Sequence, residues 1–167
     1  MNSARARVCR GLTLLELAIA IAILAILAAV ALPHLGVQID QRRLHAAAEA
    51  LAADLSEARF EAARQGRSVH LVVQGGTAWC WALATDASCP CGLRQACEVR
   101  SATPADHAGI RSLQGQPLQL TATGAAQGSG QTTLESSRGS RLRVQVQALG
   151  RPRICTERGP AQRYPAC

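Results

Sequence analysis

Hydrophobic and polar positions follow three different patterns along the chain. Residues 17–32 form an uninterrupted apolar run, and residues 40–65 carry apolar side chains at alternating spacings of four and three. From residue 69 onward, shorter segments alternate between apolar and polar positions. Spacings of three and four indicate an amphipathic helix, whereas strict alternation indicates half-buried strands. The patterns therefore predict a long helical region followed by a β-rich remainder.

The apolar run is long enough to cross a membrane. As a helix, residues 12–32 would extend about 31 Å at about 1.5 Å per residue, which matches the hydrocarbon thickness of a bilayer. Arg5, Arg7 and Arg10 precede the run and should stay in the cytoplasm, because basic flanks are retained inside. Everything after Pro33 would then lie outside, where disulfide bonds form.

One carboxylate, Glu16, lies near the start of this run. It argues against a cleaved secretory signal, although residues 29–31 offer an Ala-x-Ala site, because it interrupts the front of the apolar region. An ordinary membrane anchor has no need for a carboxylate, which is costly to insert into a bilayer. A third explanation, given below, comes from the residues around it.

Residues 40–65 predict one amphipathic helix that ends at Gly66. Its apolar stripe consists of Leu44, Ala48, Leu51, Leu55, Ala58 and Ala62. Short strands are predicted at residues 69–73, 77–83, 118–122 and 141–147. Gly75 and Gly76 should join the first two strands into a hairpin, and Pro152 indicates a strand at a sheet edge, because proline cannot donate to a ladder.

Other segments give weaker signals. Residues 85–109 predict irregular structure, and residues 124–131 (GAAQGSGQ) predict a flexible loop. Trp79 and Trp81 share one face of their strand and could stack on nucleic-acid bases. Core packing is the favoured interpretation, because large aromatic side chains are scarce in this chain.

The chain has seven cysteines, an odd number for an exported protein. They are Cys9, Cys80, Cys89, Cys91, Cys97, Cys155 and Cys167. A cut between Cys9 and Cys80 would leave six, an even number. Metal binding is disfavoured, because no histidine lies at a matching spacing and an oxidising compartment favours disulfides. We therefore expect no metal and no cofactor.

Pairing among the central cysteines stays open. A bond between Cys89 and Cys91 would close a very small, strained ring, so pairings that separate them are favoured. Two arrangements remain, namely Cys80–Cys89 with Cys91–Cys97, or Cys80–Cys91 with Cys89–Cys97. Towards the C-terminus, Cys155 and Cys167 are expected to close a loop of their own.

The stretch Gly11-Leu12-Thr13-Leu14-Leu15-Glu16 resembles the processing site of type IV pilins and related pseudopilins. The resemblance implies that prepilin peptidase cuts after Gly11 and that Leu12 becomes the methylated N-terminus, where the family more often has Phe. The cut would also remove Cys9. Glu16 would pair in the filament with the N-terminal amine of a neighbouring subunit, because an unpaired buried charge is costly.

The same resemblance implies an α+β fold, in which a long N-terminal helix packs on a C-terminal antiparallel β-sheet head. The implied segments are a cytoplasmic leader (1–11), a transmembrane and assembly helix (12–33), an amphipathic continuation (34–66) and a disulfide-bonded head (67–167). The chain would cross the bacterial inner membrane once with a periplasmic head, and it would be extracellular in an assembled pilus. Its implied partners are other pilin subunits and prepilin peptidase.

Basic residues crowd the C-terminal end of a chain whose net charge is +7 and which contains no lysine. Gly150-Arg151-Pro152-Arg153, followed by Cys155 and Cys167, resembles the C-terminal end of FimT/GspH-type minor pilins. Members of that family that act in natural transformation contact DNA through a G-R-x-R element. The resemblance implies that Arg151 and Arg153 bind double-stranded DNA without regard to sequence.

The residue chemistry agrees with that role. Arginines two positions apart in extended chain project to one side, and each can contact a phosphate oxygen. Four further arginines could extend the patch if the fold brings them near, namely Arg141, Arg143, Arg158 and Arg163. The alternative function is purely structural, as an assembly-initiating minor pilin or a type II secretion pseudopilin. An enzyme is not expected, because no nucleophile–base pair can be argued from the scattered histidines.

Overall fold

The computed structural model describes residues 13–93, 95–128, 130–160 and 163–167, with the side chains of all of these except residues 31–34 and Ser112. The described part is an α+β fold, as expected, with a helix packed on antiparallel sheets. Helix α1 spans Leu14–Gln65. The strands are β1 Val69–Gln74, β2 Cys80–Ala84, β3 Glu98–Ala102, β4 Ile110–Gly115, β5 Leu118–Leu120, β6 Ala126–Gln127, β7 Gln131–Ser136, β8 Arg141–Val146 and β9 Pro152–Arg158.

The chain divides into an N-terminal segment up to Val37 and a compact unit, Gln38–Cys167, which we call the folded unit. Large apolar side chains between Leu14 and Val30 are exposed. By length and apolarity, no single helix among the described residues qualifies as a membrane span. Two consecutive parts of α1, Leu14–Val30 and Leu35–Gln65, meet these criteria when they are taken together.

Within the folded unit, all six residues of the predicted helical stripe are buried. Gly66, which has a φ of 63°, follows the last helical residue, Gln65. Glycine adopts this left-handed conformation without a steric penalty, and it commonly ends helices. The amphipathic pattern and its C-terminal limit are therefore confirmed.

The strands form two antiparallel sheets. One has the order β3-β2-β1-β5-β6 and the other has the order β4-β7-β8-β9. Strand β9 therefore lies at an edge, as Pro152 indicated. In β8, Leu142, Val144 and Val146 are buried and alternate with partly exposed polar residues. The second sheet thus has an inner apolar face and an outer polar face.

Trp79 and Trp81 lie in the core with no exposed surface. Their rings stack with centroids 5.4 Å apart. Each indole N–H has a partner, since Trp79 Nε1 donates to the Ile110 carbonyl over 3.2 Å and Trp81 Nε1 donates to Asp54 Oδ2 over 3.0 Å. Neither ring is available for base stacking, and the interpretation as core residues is confirmed.

Residues 85–109 are not wholly irregular, because β3 lies within them. Its sequence, EVRSA, has one strongly apolar residue and only Ala102 is buried, so it carries no alternating signal. It forms because the edge of β2 is free to pair with it. The disulfide Cys80–Cys91 ties the β2–β3 connection to β2, and Cys89–Cys97 closes a loop within that connection. This is the second of the two open arrangements.

Residues 124–131 are not one flexible loop either. Strand β6 pairs with β5 through Gln119 opposite Gln127 and Leu120 opposite Ala126. Strands β4 and β7 were also not foreseen. In β7 the inward residues include Thr132 and Ser136, both fully buried, so burial alternates there although hydrophobicity does not.

Candidate functional site

The β8–β9 hairpin carries both arginines of the Gly-Arg-Pro-Arg element. Its turn is closed by the Gln147 N–H, which donates to the Arg151 carbonyl over 3.0 Å. Arg153 lies opposite Gln145 in the ladder. Because opposite residues share a face, Arg153 projects from the outer polar face of the sheet. The Arg151 and Arg153 side chains are both exposed.

Gly150 determines how closely this hairpin approaches the rest of the folded unit. Its φ is +73°, and an added Cβ would overlap the carbonyl oxygen of Gly124 and lie 2.9 Å from Arg59 Cδ. Arg59 Nε donates to that same carbonyl over 3.1 Å, and the Ala126 N–H donates to the Ala148 carbonyl over 2.9 Å. The turn is thus held against helix α1, and only glycine permits the approach.

The six C-terminal arginines proposed from the sequence fall into two groups. Three are paired with carboxylates: Arg141 with Glu135 at 2.9 Å, Arg143 with Glu157 at 3.0 Å, and Arg163 with Glu49 at 3.2 Å. Arg151, Arg153 and Arg158 are exposed, and no ion pair within the described residues involves them. We call these three the unpaired arginines.

The unpaired arginines lie along one edge. A register shift between Arg141 and Leu142 places Arg158 opposite Arg141, while Arg153 lies opposite Gln145. Both therefore belong to the outer face, four positions apart along β8, or about 14 Å at about 3.4 Å per residue. Arg151 continues the row at the hairpin turn. Charge on this edge is therefore spread over a distance suited to an extended polyanion.

The C-terminal residues fold back onto β9 and cover its centre. The Thr156 N–H donates to the Pro165 carbonyl over 2.7 Å, and the Cys167 N–H donates to the Thr156 carbonyl over 3.1 Å. The Cys155–Cys167 disulfide closes this strap, with Cα atoms 5.0 Å apart. Residues 163–167, which we call the C-terminal strap, leave the Arg151–Arg153 end of β9 open.

Tyr164 anchors the strap to helix α1. Its hydroxyl donates to Glu49 Oε1 over 2.5 Å, and its ring lies edge-on to His45 with centroids 5.4 Å apart. Burial and the hydrogen bond to Glu49 raise the pKa of Tyr164 to about 12. Burial, followed by the nearby Arg163, lowers the pKa of His45.

The processing residues Gly11 and Leu12 lie outside the described residues. Glu16 lies in the first turn of α1 and is exposed; its N–H donates to Thr13 Oγ1 over 3.2 Å, so Thr13 caps the helix. All six cysteines from Cys80 onward are in disulfides. Within the described ranges, no group of His, Cys, Asp or Glu side chains is arranged to hold a metal ion.

Sequence reasoning missed the carboxylates that neutralise half of the arginines. Glu157 neighbours Arg158 in sequence, yet the β-bulge turns it towards Arg143. Glu135 reaches Arg141 across the β7–β8 pair, and Glu49 reaches Arg163 from the helix. The first two pairs depend on strand register and the third on how the strap meets the helix, and neither was available from the pattern alone.

Comparison with protein families decides the membership of the chain. Residues 47–150, which include the last third of α1 and β1 to β8, match the model described as type II transport protein GspH. The chain belongs to the GspH family. Residues 6–32 match the prokaryotic N-terminal methylation motif. The two matches confirm the resemblance to a type IV pilin-like minor pilin or pseudopilin.

Two consequences follow for this GspH-family protein. The methylation motif and the apolar helix indicate a membrane-anchored pilin, and family membership implies assembly with other pilin subunits. The GspH match ends at Gly150, so Arg151, Arg153 and the C-terminal strap lie beyond it. Comparison with curated proteins and with solved structures gave no match.

Proposed function

We propose that this GspH-family pilin binds double-stranded DNA along the outer edge of β9 and aids DNA uptake. The observation that carries the proposal is the row of unpaired arginines, Arg151, Arg153 and Arg158, which are exposed along the edge strand β9 and its turn. Arginine forms bidentate contacts with phosphate, and unpaired arginines need not first leave a carboxylate partner.

The binding would be independent of DNA sequence. Contacts from arginine to phosphate position a duplex but read no bases. Both tryptophans are buried, so this edge has no exposed indole that could stack on bases. Pro152 stiffens the segment between Arg151 and Arg153, which reduces the entropy lost when both side chains engage phosphates.

Fluorescence anisotropy of a labelled 20-base-pair duplex tests the proposal on the oxidised folded unit. Arg151→Gln/Arg153→Gln should reduce the affinity at low salt by at least tenfold, because two phosphate contacts are lost. The matched control is Arg67→Gln/Arg111→Gln, which removes the same charge outside β9. Both arginines are exposed, and neither takes part in an ion pair within the described residues. Equal losses in the two variants would show that net charge alone drives binding.

The second candidate is a structural subunit of a type II secretion pseudopilus. Two observations favour it, namely the family match, which stops before Arg151, and the pairing of three of the six arginines with carboxylates. This candidate predicts no DNA binding at any salt concentration. The structural candidate predicts instead that deletion of the gene abolishes secretion and that the Arg151→Gln/Arg153→Gln variant restores it.

We also propose that prepilin peptidase cuts after Gly11 and that Glu16 directs assembly by pairing with a neighbour's N-terminal amine. The proposal is supported by the methylation-motif match, which covers both positions. Mass spectrometry of membrane-extracted protein should find a chain that begins at N-methylated Leu12. Gly11→Ala should leave the uncut precursor, whereas Glu16→Gln should be cut normally but be missing from filaments.

A further inference from the structure

Four arginines from three elements lie around the beginning of the folded unit. They are Arg42 and Arg43 of α1, Arg111 of β4 and Arg138 in the β7–β8 turn, and we call them the arginine collar. All four side chains are exposed. Within the described residues, none of them takes part in an ion pair.

Specific contacts bring these elements together. Ser137 Oγ donates to Asp40 Oδ1 over 2.5 Å, and the Ser137 N–H donates to the Gly109 carbonyl over 2.9 Å. Gly109 itself lies against Arg43, since an added Cβ there would be 3.0 Å from Arg43 Cδ. Arg138 follows Ser137 directly in sequence, and Arg111 is two positions after Gly109.

The one carboxylate in these contacts does not cancel the positive charge of the collar. Asp40 is only 5% exposed and is engaged by Ser137. Through this hydrogen bond, Asp40 holds the β7–β8 turn on the helix. The collar therefore presents four guanidinium groups against one buried acid.

Exposed apolar side chains directly precede the collar in sequence. Leu35, Val37 and Ile39 are 51%, 41% and 48% exposed, and Arg42 comes three positions after Ile39. This order in sequence, an apolar helix and then a cluster of arginines, matches the order of acyl chains and anionic headgroups in a membrane.

We propose that the arginine collar binds the anionic phospholipid headgroups of the membrane in which the N-terminal helix is anchored. The proposal rests on membrane anchoring and not on DNA binding. The β7–β8 turn and the β8–β9 turn lie at opposite ends of β8, so the collar and Arg151 occupy separate places. Lipid contact would orient the folded unit before the subunit enters a filament.

The test uses the full chain in a neutral detergent and follows lipid retention by native mass spectrometry. Phosphatidylglycerol should bind more tightly than phosphatidylcholine. Arg42→Gln/Arg43→Gln should weaken phosphatidylglycerol binding about 25-fold, or about fivefold per arginine, and should leave phosphatidylcholine binding unchanged. The matched control, Arg64→Gln/Arg67→Gln, removes two exposed arginines near the C-terminal end of α1, outside the collar, and should keep the preference.

Three outcomes would overturn the proposal. These are equal binding of the two lipids by the unaltered chain, equal losses in both variants, and displacement of phosphatidylglycerol by a short DNA duplex at matched charge concentration. The last result would make the collar a general polyanion site. Near-UV circular dichroism from the stacked Trp79 and Trp81 checks that each variant is folded.

Discussion

At the scale of single residues, two glycines allow the effect of backbone conformation to be separated from the effect of the space around the residue. Gly150 and Gly139 both adopt positive φ, at 73° and 82°. An added Cβ at Gly150 would overlap the Gly124 carbonyl oxygen, whereas one at Gly139 would meet nothing within 4 Å. The two positions therefore form a matched pair for testing how the hairpin that carries Arg151 and Arg153 is held.

Gly150→Ala should lower the free energy of unfolding by about 3 kcal/mol, because backbone strain is combined with a steric overlap. Gly139→Ala should lower it by about 1 kcal/mol, from backbone strain alone. Urea unfolding of the folded unit measures both values. Equal losses would contradict the close packing of the β8–β9 turn.

Tyr164 is the one tyrosine of the chain, so its ionisation can be followed directly by ultraviolet absorbance. The midpoint should lie near pH 12, and Glu49→Gln should lower it, since the carboxylate that holds the proton is lost. The folded-state pKa is above the ordinary value of 10. The contribution of Tyr164 to stability should therefore be complete below pH 10 and be lost as the pH rises towards 12. A midpoint near 10 in the unaltered protein would contradict the contact with Glu49.

At this scale, the sequence predicted where the arginines of the site lie better than it predicted which arginines are paired with carboxylates. The positions of Arg151 and Arg153 at a turn and sheet edge followed from Gly150 and Pro152, because each has one dominant backbone preference. The neutralisation of Arg141, Arg143 and Arg163 did not follow. It depends on which carboxylate lies across a strand pair or on the helix, and such contacts are non-local.

At the scale of elements, the C-terminal strap acts as a covalently held cover on β9. Cys155→Ser/Cys167→Ser should lower the free energy of unfolding by about 3 kcal/mol on the loop-entropy account of a disulfide. It should also speed hydrogen exchange at the Thr156 amide, whose acceptor is the Pro165 carbonyl. Exchange at Val144, in the middle of β8, should change much less.

The contrary result would be an unchanged Thr156 exchange rate after the disulfide is removed. The strap would then be held by its noncovalent contacts, which include the hydrogen bond from Tyr164 to Glu49 and the backbone hydrogen bonds to Thr156. Tyr164→Phe in the serine background separates the two contributions, because it removes the hydrogen bond to Glu49 and keeps the ring against His45.

Elements with a strong local period could be predicted, and elements formed by pairing could not. The helix stripe follows from helical spacing, β1, β5 and β8 follow from apolar positions in short segments between turns, and β2 follows from a short apolar run after the Gly75–Gly76 turn. Strand β3 consists mostly of polar residues, β6 has two residues in a glycine-rich stretch, and β7 buries Thr132 and Ser136. Their partners determine these strands, so the local pattern carries little signal.

At the scale of the whole molecule, charge is separated into distinct regions. Arg151 and Arg153 lie at or near the β8–β9 turn, whereas the arginine collar lies at the other end of β8, where Arg158 is opposite Arg141. These two groups of exposed arginines form two patches of positive charge on the folded unit. Each patch can be removed separately, so DNA binding and lipid binding are independently testable.

The salt dependence of DNA binding tests the central claim most directly. For the oxidised folded unit, log K should fall linearly with log salt concentration, by about 0.9 per phosphate neutralised. Arg151→Gln/Arg153→Gln should reduce that slope by about 1.8, and Arg67→Gln/Arg111→Gln should leave it unchanged. A slope that is the same in all three proteins, or no binding at low salt, would contradict a DNA site on β9 and favour the structural pseudopilin.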